Sequence, residues 1–165
     1  MSEALYFQET SAGIFIKAVG HITASISVDL KALVTERLEK PPVPLELFAD
    51  LSECTYMDST FMGLLVGFHK KLKTLTGKSL TLWNPSRECE KLLQGLGIWK
   101  LMRLFEGHLD SGEPDFWKLV TKTQDPSPEI LLGAHQELSE ISPENAQKFS
   151  VLESILKEQI HKDRK

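Results

Sequence analysis

Asp58 and Ser59 are the residues of this sequence best placed to do chemistry, because they stand between an apolar run and an amphipathic one. The pattern predicts that a strand ends near Met57 and that a helix begins directly after Ser59. A helix N-terminus carries unpaired N–H groups and a partial positive charge, so it accommodates an added phosphate. Phosphorylation of Ser59 would add about −1.5 to −2 charges beside the Asp58 carboxylate. The alternative is structural, since serine and aspartate are both favoured as helix N-caps.

The helix predicted over Thr60–Leu75 presents two stripes of side chains. The first has the spacing of a core face and comprises Phe61, Leu64, Leu65, Phe68, Leu72 and Leu75. The second comprises Ser59, Met62, Val66 and His69. Methionine adapts well to contacts at interfaces, so the second stripe is either a partner-binding surface or part of a broad buried face.

The other polar residues do not form the pattern of an enzyme or of a metal site. The five histidines are scattered without metal-ligand spacing. Gly95-Leu96-Gly97 lacks the third glycine of a dinucleotide fingerprint and follows a helix rather than a strand. Neither cysteine has a histidine placed beside it by a motif. We therefore expect a protein that is not an enzyme and that uses no metal or cofactor.

Composition and charge indicate the class of protein. Hydrophobic residues make up 41% and charged residues 25% of the chain, as in ordinary globular domains. A net charge of −4 argues against a nucleic-acid partner, which would require a basic face. No apolar run is long enough to cross a bilayer, and the first residues do not form a signal peptide. With only Cys54 and Cys89, and no C-x-x-C pair, we expect free thiols in a reducing cytoplasm.

The hydrophobic periodicity predicts the order β-β-α-β-α-β-α-β over residues 1–106. Such an order favours an α/β fold in which a small mixed sheet carries helices mainly on one face. Residues 107–128 have the composition of a linker, with one turn of helix predicted over Asp115–Val120. Residues 129–165 are predicted to form a helical hairpin, with helices over Ile130–Ile141 and Pro143–His161. The second of these carries an apolar stripe of Phe149, Leu152, Leu156 and Ile160.

Three segments resemble the STAS family, the domain of sulfate transporters and anti-sigma-factor antagonists. Met57–Leu64 resembles the family's D-S-(S/T)-G-L-G-L switch segment, and Leu80–Ser86 resembles its strand-to-helix segment ending in N-P-S. Leu92–Ile98 resembles its closing helix. Gly20–Thr23, predicted as a break after a strand that ends at Val19, stands where the family usually has G-x-(L/I)-(D/T). The resemblance covers roughly residues 4 to 106 and agrees with the predicted order of elements.

This resemblance implies a bacterial anti-sigma-factor antagonist whose switch residue is Ser59, with Thr60 as the alternative. In such antagonists an anti-sigma factor with serine kinase activity binds the unphosphorylated form, and a serine phosphatase restores that form. The residues then expected to contact the partner are Asp58, Ser59, Thr60, Phe61, Met62, Val66 and His69. Phe61 departs from the family, which usually has glycine there. Its ring either crowds a docking kinase, anchors a specific partner or points into the core.

Two further functions are compatible with the same fold. The first is a small-ligand or lipid-sensing module with a pocket near the N-terminus of the Ser59 helix. The second is an adaptor without phosphorylation, which assembles through the C-terminal hairpin. The sequence also allows a homodimer.

Overall fold

A computed structural model describes residues 3–44, 46–108 and 117–164 of the chain. In chain order the elements are β1 (Ala4–Thr10), β2 (Gly13–Ile22), α1 (Ala24–Glu39), β3 (Leu47–Met57), α2 (Ser59–Thr76), β4 (Thr81–Trp83), α3 (Arg87–Gly95), a 3₁₀ helix (Ile98–Lys100), β5 (Arg103–Phe105), β6 (Lys118–Leu119), α4 (Pro128–Ser139) and α5 (Pro143–Asp163). The strands of the described residues form one sheet in the order β5-β4-β3-β2-β1-β6.

The sheet is mixed, as the order of elements predicts. Strands β1 and β2 form an antiparallel hairpin whose last pair is Thr10 with Gly13. Strand β2 then pairs in parallel with β3, β3 with β4 and β4 with β5. Gly13 has a φ of 142°, and a Cβ atom there would lie 2.3 Å from the carbonyl oxygen of Glu46. The turn therefore requires glycine at this position.

Strand β2 is longer than the sequence pattern predicts. The prediction ended this strand at Val19 and treated Gly20–Thr23 as a break, which is wrong for Gly20, His21 and Ile22. The register of β2 against β3 shifts twice, between Lys17 and Val19 and between Gly20 and His21. Gly20 has a φ of 77°. Glycine is typical of breaks between elements but also of irregular points within a strand. The sequence therefore indicated a break at Gly20 although the pairing continues beyond it.

The linker contributes a strand to the sheet. The prediction of one helical turn over Asp115–Val120 is wrong for Lys118 and Leu119, which form β6 and pair with Tyr6 and Phe7 of β1. The first two residues of the predicted turn lie outside the described residues, as do the other linker residues from 109 to 114 and Leu45, where the apolar run that predicts β3 begins.

The main core lies between the sheet and the helices. Leu5, Ile14, Ile16, Leu47 and Leu51 are fully buried or nearly so and belong to one cluster with residues of α1, α2 and α3. The C-terminal helices add to this cluster. Side chains of β2 and β3 that point away from this core belong to a separate aromatic group on the other face of the sheet. There the rings of Phe15 and Phe48 stack with centroids 4.6 Å apart, and Trp117 packs edge-on to Phe15.

Candidate functional site

Asp58 joins the N-termini of two helices. It is the N-cap of α2, where its Oδ1 atom accepts a hydrogen bond from the backbone N–H of Phe61 at 2.9 Å. Its Oδ2 atom accepts from the backbone N–H of Ala24, in the first turn of α1, at 2.7 Å. The capping role considered for Ser59 thus belongs to Asp58, and Ser59 is the first helical residue of α2.

The Ser59 hydroxyl contacts a histidine of the C-terminal hairpin. Ser59 Oγ lies 2.7 Å from Nε2 of His135 in α4, and Nδ1 of the same ring lies 2.7 Å from the carbonyl oxygen of Leu131. A carbonyl oxygen only accepts, so Nδ1 carries a proton. In the neutral imidazole Nε2 is then the acceptor, and the Ser59 hydroxyl donates to it. Ser59 is half-buried and His135 is buried.

Sequence reasoning missed His135, because 76 residues separate it from Ser59. No local spacing relates the two, and the predicted helix around His135 has acidic neighbours typical of a solvated face. A signal was nevertheless present in α2, where Gly63 and Gly67 lie one turn apart. Small residues at this spacing permit another helix to approach closely.

Helix α4 packs directly against α2 at these glycines. A Cβ atom on Gly63 would lie 2.2 Å from the carbonyl oxygen of Ala134, and one on Gly67 would lie 3.9 Å from Cγ of Glu137. One turn further on, Lys70 pairs with Glu137 at 2.8 Å and also with Glu140. We call this surface of α2 the hairpin contact face; it comprises Ser59, Gly63, Gly67 and Lys70.

Further contacts fasten the hairpin to the domain. The buried Asn145 side chain, at the start of α5, donates from Nδ2 to the carbonyl oxygens of Leu96 and Leu138 at 2.8 and 2.9 Å. Upstream of α4, the backbone N–H and hydroxyl of Thr123 both donate to Asp29 of α1. The linker is therefore held along α1 before it delivers α4 onto α2.

The other residues predicted to contact a partner lie mostly inside the protein. Thr60, Phe61, Met62, Val66 and His69 are all buried. Phe61 is fully buried in the main core, so the ring points inward and does not crowd the surface near Ser59. The second stripe is buried within the chain, and its proposed contact with a partner remains a prediction.

His69 is an acceptor inside the core. Its Nδ1 atom accepts a hydrogen bond from the backbone N–H of Leu80 at 3.1 Å. Burial, together with the nearby Lys73 and Lys70 ammonium groups, lowers the pKa of His69 below its ordinary value of 6.5. The neutral ring is therefore the form that the fold favours.

A cavity of about 360 Å³ opens beside Ser59. It lies between the start of α2, helix α3 and helix α5 and is lined by, among others, Asp58, Ser59, Met62, Lys91, Lys148 and Phe149. Among the described residues neither Lys91 nor Lys148 forms an ion pair within the chain. The wall of the cavity that includes Ser59 therefore carries two lysines as well as the Asp58 carboxylate.

The described residues contain no candidate metal cluster and no candidate membrane-spanning helix. No group of three or more histidine, cysteine, aspartate or glutamate side chains in residues 3–44, 46–108 and 117–164 is arranged to hold a metal ion. None of the helices in these ranges has the length and apolar character needed to cross a membrane.

Comparison with known proteins assigns the fold to a family. The model of the STAS domain family matches residues 7–110. The chain belongs to the STAS domain family. The hairpin of α4 and α5 lies beyond the matched residues.

Two solved structures of SpoIIAA are similar to this STAS protein. One is the anti-sigma factor antagonist SpoIIAA in its unphosphorylated form, with 21% identity and a TM-score of 0.54 over 62% of this chain and 88% of that one. The other is the Bacillus cell fate determinant SpoIIAA in the phosphorylated form, with 20% identity and a TM-score of 0.51 over 62% of this chain and 91% of that one. At these identities the likeness establishes the STAS fold.

Proposed function

We propose that this STAS protein is an anti-sigma-factor antagonist, a binding module without enzymatic activity that is switched by phosphorylation of Ser59. In the cytoplasm it binds an anti-sigma factor with serine kinase activity while Ser59 is unmodified, and a serine phosphatase restores that state. The family and the SpoIIAA structures in two phosphorylation states support this proposal. The observation that carries it is the contact of the Ser59 hydroxyl, at the start of α2, with His135 of the hairpin.

In the unmodified protein the hairpin and the partner compete for the same part of α2. The hairpin contact face is covered by α4, so a partner that docks there must first displace α4. The hydrogen bond between Ser59 and His135 contributes only about 0.5–1.5 kcal/mol to the docking of the hairpin. This hydrogen bond therefore adds little to the cost of displacing α4, most of which comes from the burial of Ala134 and Leu138 in the main core.

A phosphate on Ser59 would hold the hairpin in place. A cavity of about 360 Å³ adjoins the hydroxyl, so the added group has room without moving α4. There it would meet Lys91 of α3 and Lys148 of α5, beside the ring of His135 in α4. Hydrogen bonds between charged groups are roughly twice as strong as neutral ones. Phosphorylation thus ties α4 and α5 to α2. The partner is excluded because α4 stays over the hairpin contact face and because the phosphate adds negative charge there.

Hydrogen exchange of the hairpin tests this mechanism. The protein is prepared with phosphoserine incorporated at position 59 and compared with the unmodified protein. One charge-assisted hydrogen bond contributes about 1.5–3 kcal/mol, so amides of α4 and α5 should exchange about tenfold or more slowly when Ser59 is phosphorylated. Unchanged or faster exchange of these helices would contradict the mechanism.

A pair of lysine substitutions supplies the control. Lys148→Ala removes a cation that lines the cavity and should reduce the slowing caused by the phosphate. Lys157→Ala removes an exposed cation of the same helix that does not line the cavity and should leave the slowing intact. Equal effects of the two substitutions would show that the phosphate does not engage the cavity.

The same cavity favours a second function, the sensing of a small anionic ligand. Two lysines beside a helix N-terminus suit a phosphate-bearing molecule. Addition of inorganic phosphate, ATP or vesicles of anionic lipid should then raise the melting temperature of the unmodified protein. A rise that is lost in Lys148→Ala would favour this second function, and no rise with any of the three would exclude it.

A further inference from the structure

The outer face of α5 carries an apolar patch that the protein leaves in solvent. Val151, Leu152 and Ile155 expose 70%, 37% and 56% of their surface, respectively. They lie on adjacent turns, so the three side chains form one patch near the middle of the 21-residue helix. The opposite side of α5 holds the hairpin together through buried residues such as Phe149 and Leu156.

Charged residues extend this patch into a stripe along the helix. The stripe has alternating spacings of four and three residues, as in a helix that packs lengthwise on another helix. It comprises Glu144, Lys148, Val151, Ile155, Glu158 and Lys162, which are all exposed. The apolar members stand at the centre and the charged members at both ends, which is the arrangement of a small protein interface.

The stripe is complementary to a second copy of itself in the antiparallel direction. Its members are placed symmetrically about position 153, so a two-fold axis there sets Val151 opposite Ile155 of the other copy. The same axis sets Lys148 opposite Glu158. Parallel pairing would instead place each charge beside its own copy, which is unfavourable.

The outer charges follow the same symmetry, since Glu144 meets Lys162. Within one chain Lys162 also lies 3.5 Å from Glu158, an exposed pair that contributes little. We infer that α5 is a homodimer interface, in which two copies pack their α5 helices antiparallel about position 153. This inference does not rest on the function proposed for Ser59, although Lys148 of the stripe also lines the cavity beside Ser59.

The interface is small, so the dimer is weak. Helix α5 is about 30 Å long, and two helices packed along one stripe bury an area at the low end of specific interfaces, below about 1,200 Å². We therefore expect reversible association in the micromolar range, visible by sedimentation at concentrations up to about 1 mM.

Charge reversal tests the antiparallel pairing. Lys148→Glu places Glu opposite Glu158, and Glu158→Lys places Lys opposite Lys148, each twice in the symmetric dimer. Either variant should raise the dissociation constant about tenfold. An equimolar mixture of the two variants should associate again, because every reversed charge then meets its opposite. All proteins are used unphosphorylated, so that the cavity role of Lys148 is not engaged.

Two controls keep the test decisive. Lys157→Glu makes the same change of charge on α5 outside the stripe and should leave association unchanged. Val151→Ser keeps all charges and should also weaken association. It replaces the charge reversals as the test if circular dichroism shows that they lower the helix content. A wild-type protein that stays monomeric up to about 1 mM, or a mixture that associates no better than its components, would overturn the inference.

Discussion

Gly63→Ala should weaken the docking of the hairpin on α2 while leaving the strands of the sheet paired. The added methyl carbon would lie 2.2 Å from the carbonyl oxygen of Ala134, whereas ordinary contacts begin at 3.4 Å. Helix α4 must therefore retreat by about 1.2 Å, the difference between these two distances. Backbone cannot rotate aside as a side chain can, so the overlap is relieved only by moving α4.

The matched control is Gly67→Ala, one turn further along α2. A methyl group there would meet only Cγ of Glu137 at 3.9 Å, an ordinary contact. Both substitutions gain about 1 kcal/mol of helix propensity, which cancels in the comparison. Overpacking costs about 1–3 kcal/mol, so Gly63→Ala should leave the docked hairpin less stable than Gly67→Ala by that amount.

Hydrogen exchange of the hairpin amides measures this difference in docking stability between the two variants. Amides of α4 and α5 should exchange about 5- to 150-fold faster in Gly63→Ala than in Gly67→Ala, while those of β2 and β3 exchange alike. If the hairpin of both variants is equally protected, then α4 does not depend on the close approach at Gly63. The reasoning about the hairpin contact face would then be refuted.

Two other groups give simpler tests. The pKa of His69 is lowered on folding, so its contribution to stability is present above the ordinary value of 6.5 and is lost as the pH falls below it. Urea unfolding of His69→Asn, whose amide oxygen replaces the Nδ1 acceptor, should therefore depend less on pH between about 5 and 7 than that of wild type. The neighbouring Cys89 thiol and burial raise the pKa of Cys54, and both thiols are buried. They should react with a thiol reagent only at the rate of unfolding, and rapid reaction of the native protein would contradict this burial.

Local patterns were sufficient to predict the main elements of the domain. The alternation of apolar residues in β1 and β2 and the helical spacing in α2 each depend on side chains that face one core. The parallel neighbours follow because helices connect the strands. The STAS resemblance, based on Asp58-Ser59-Thr60 and Asn84-Pro85-Ser86, agrees with the family match over residues 7–110.

The docking of the hairpin could not be predicted in this way. The apolar stripe of α5 predicts a buried face, which Phe149 and Leu156 form although Leu152 is exposed. Periodicity does not identify the surface that buries this face. That surface follows from tertiary features such as the contact of Gly63 with Ala134 and the bonds of Asn145 to Leu96 and Leu138. Strand β6 escaped prediction for a related reason, since two residues are too few for any periodicity.

The identity of the cap was also ambiguous in the sequence. Asp58 and Ser59 both have side chains that cap helices, and one position separates them. The structure resolves the ambiguity because the Asp58 carboxylate has two oxygens and bonds the first turns of both α1 and α2. Ser59 is thereby left with a hydroxyl that serves no capping role and instead contacts His135.

The most direct test of the central claim is the intact mass of the protein recovered from its own cells, with any phosphate mapped to a residue. The account predicts a phosphorylated fraction carrying a single phosphate on Ser59, because that hydroxyl adjoins the cavity whereas Thr60 is buried. The fraction should vary with growth condition. Phosphate on Thr60 alone, or no phosphate under any condition tested, would contradict the account.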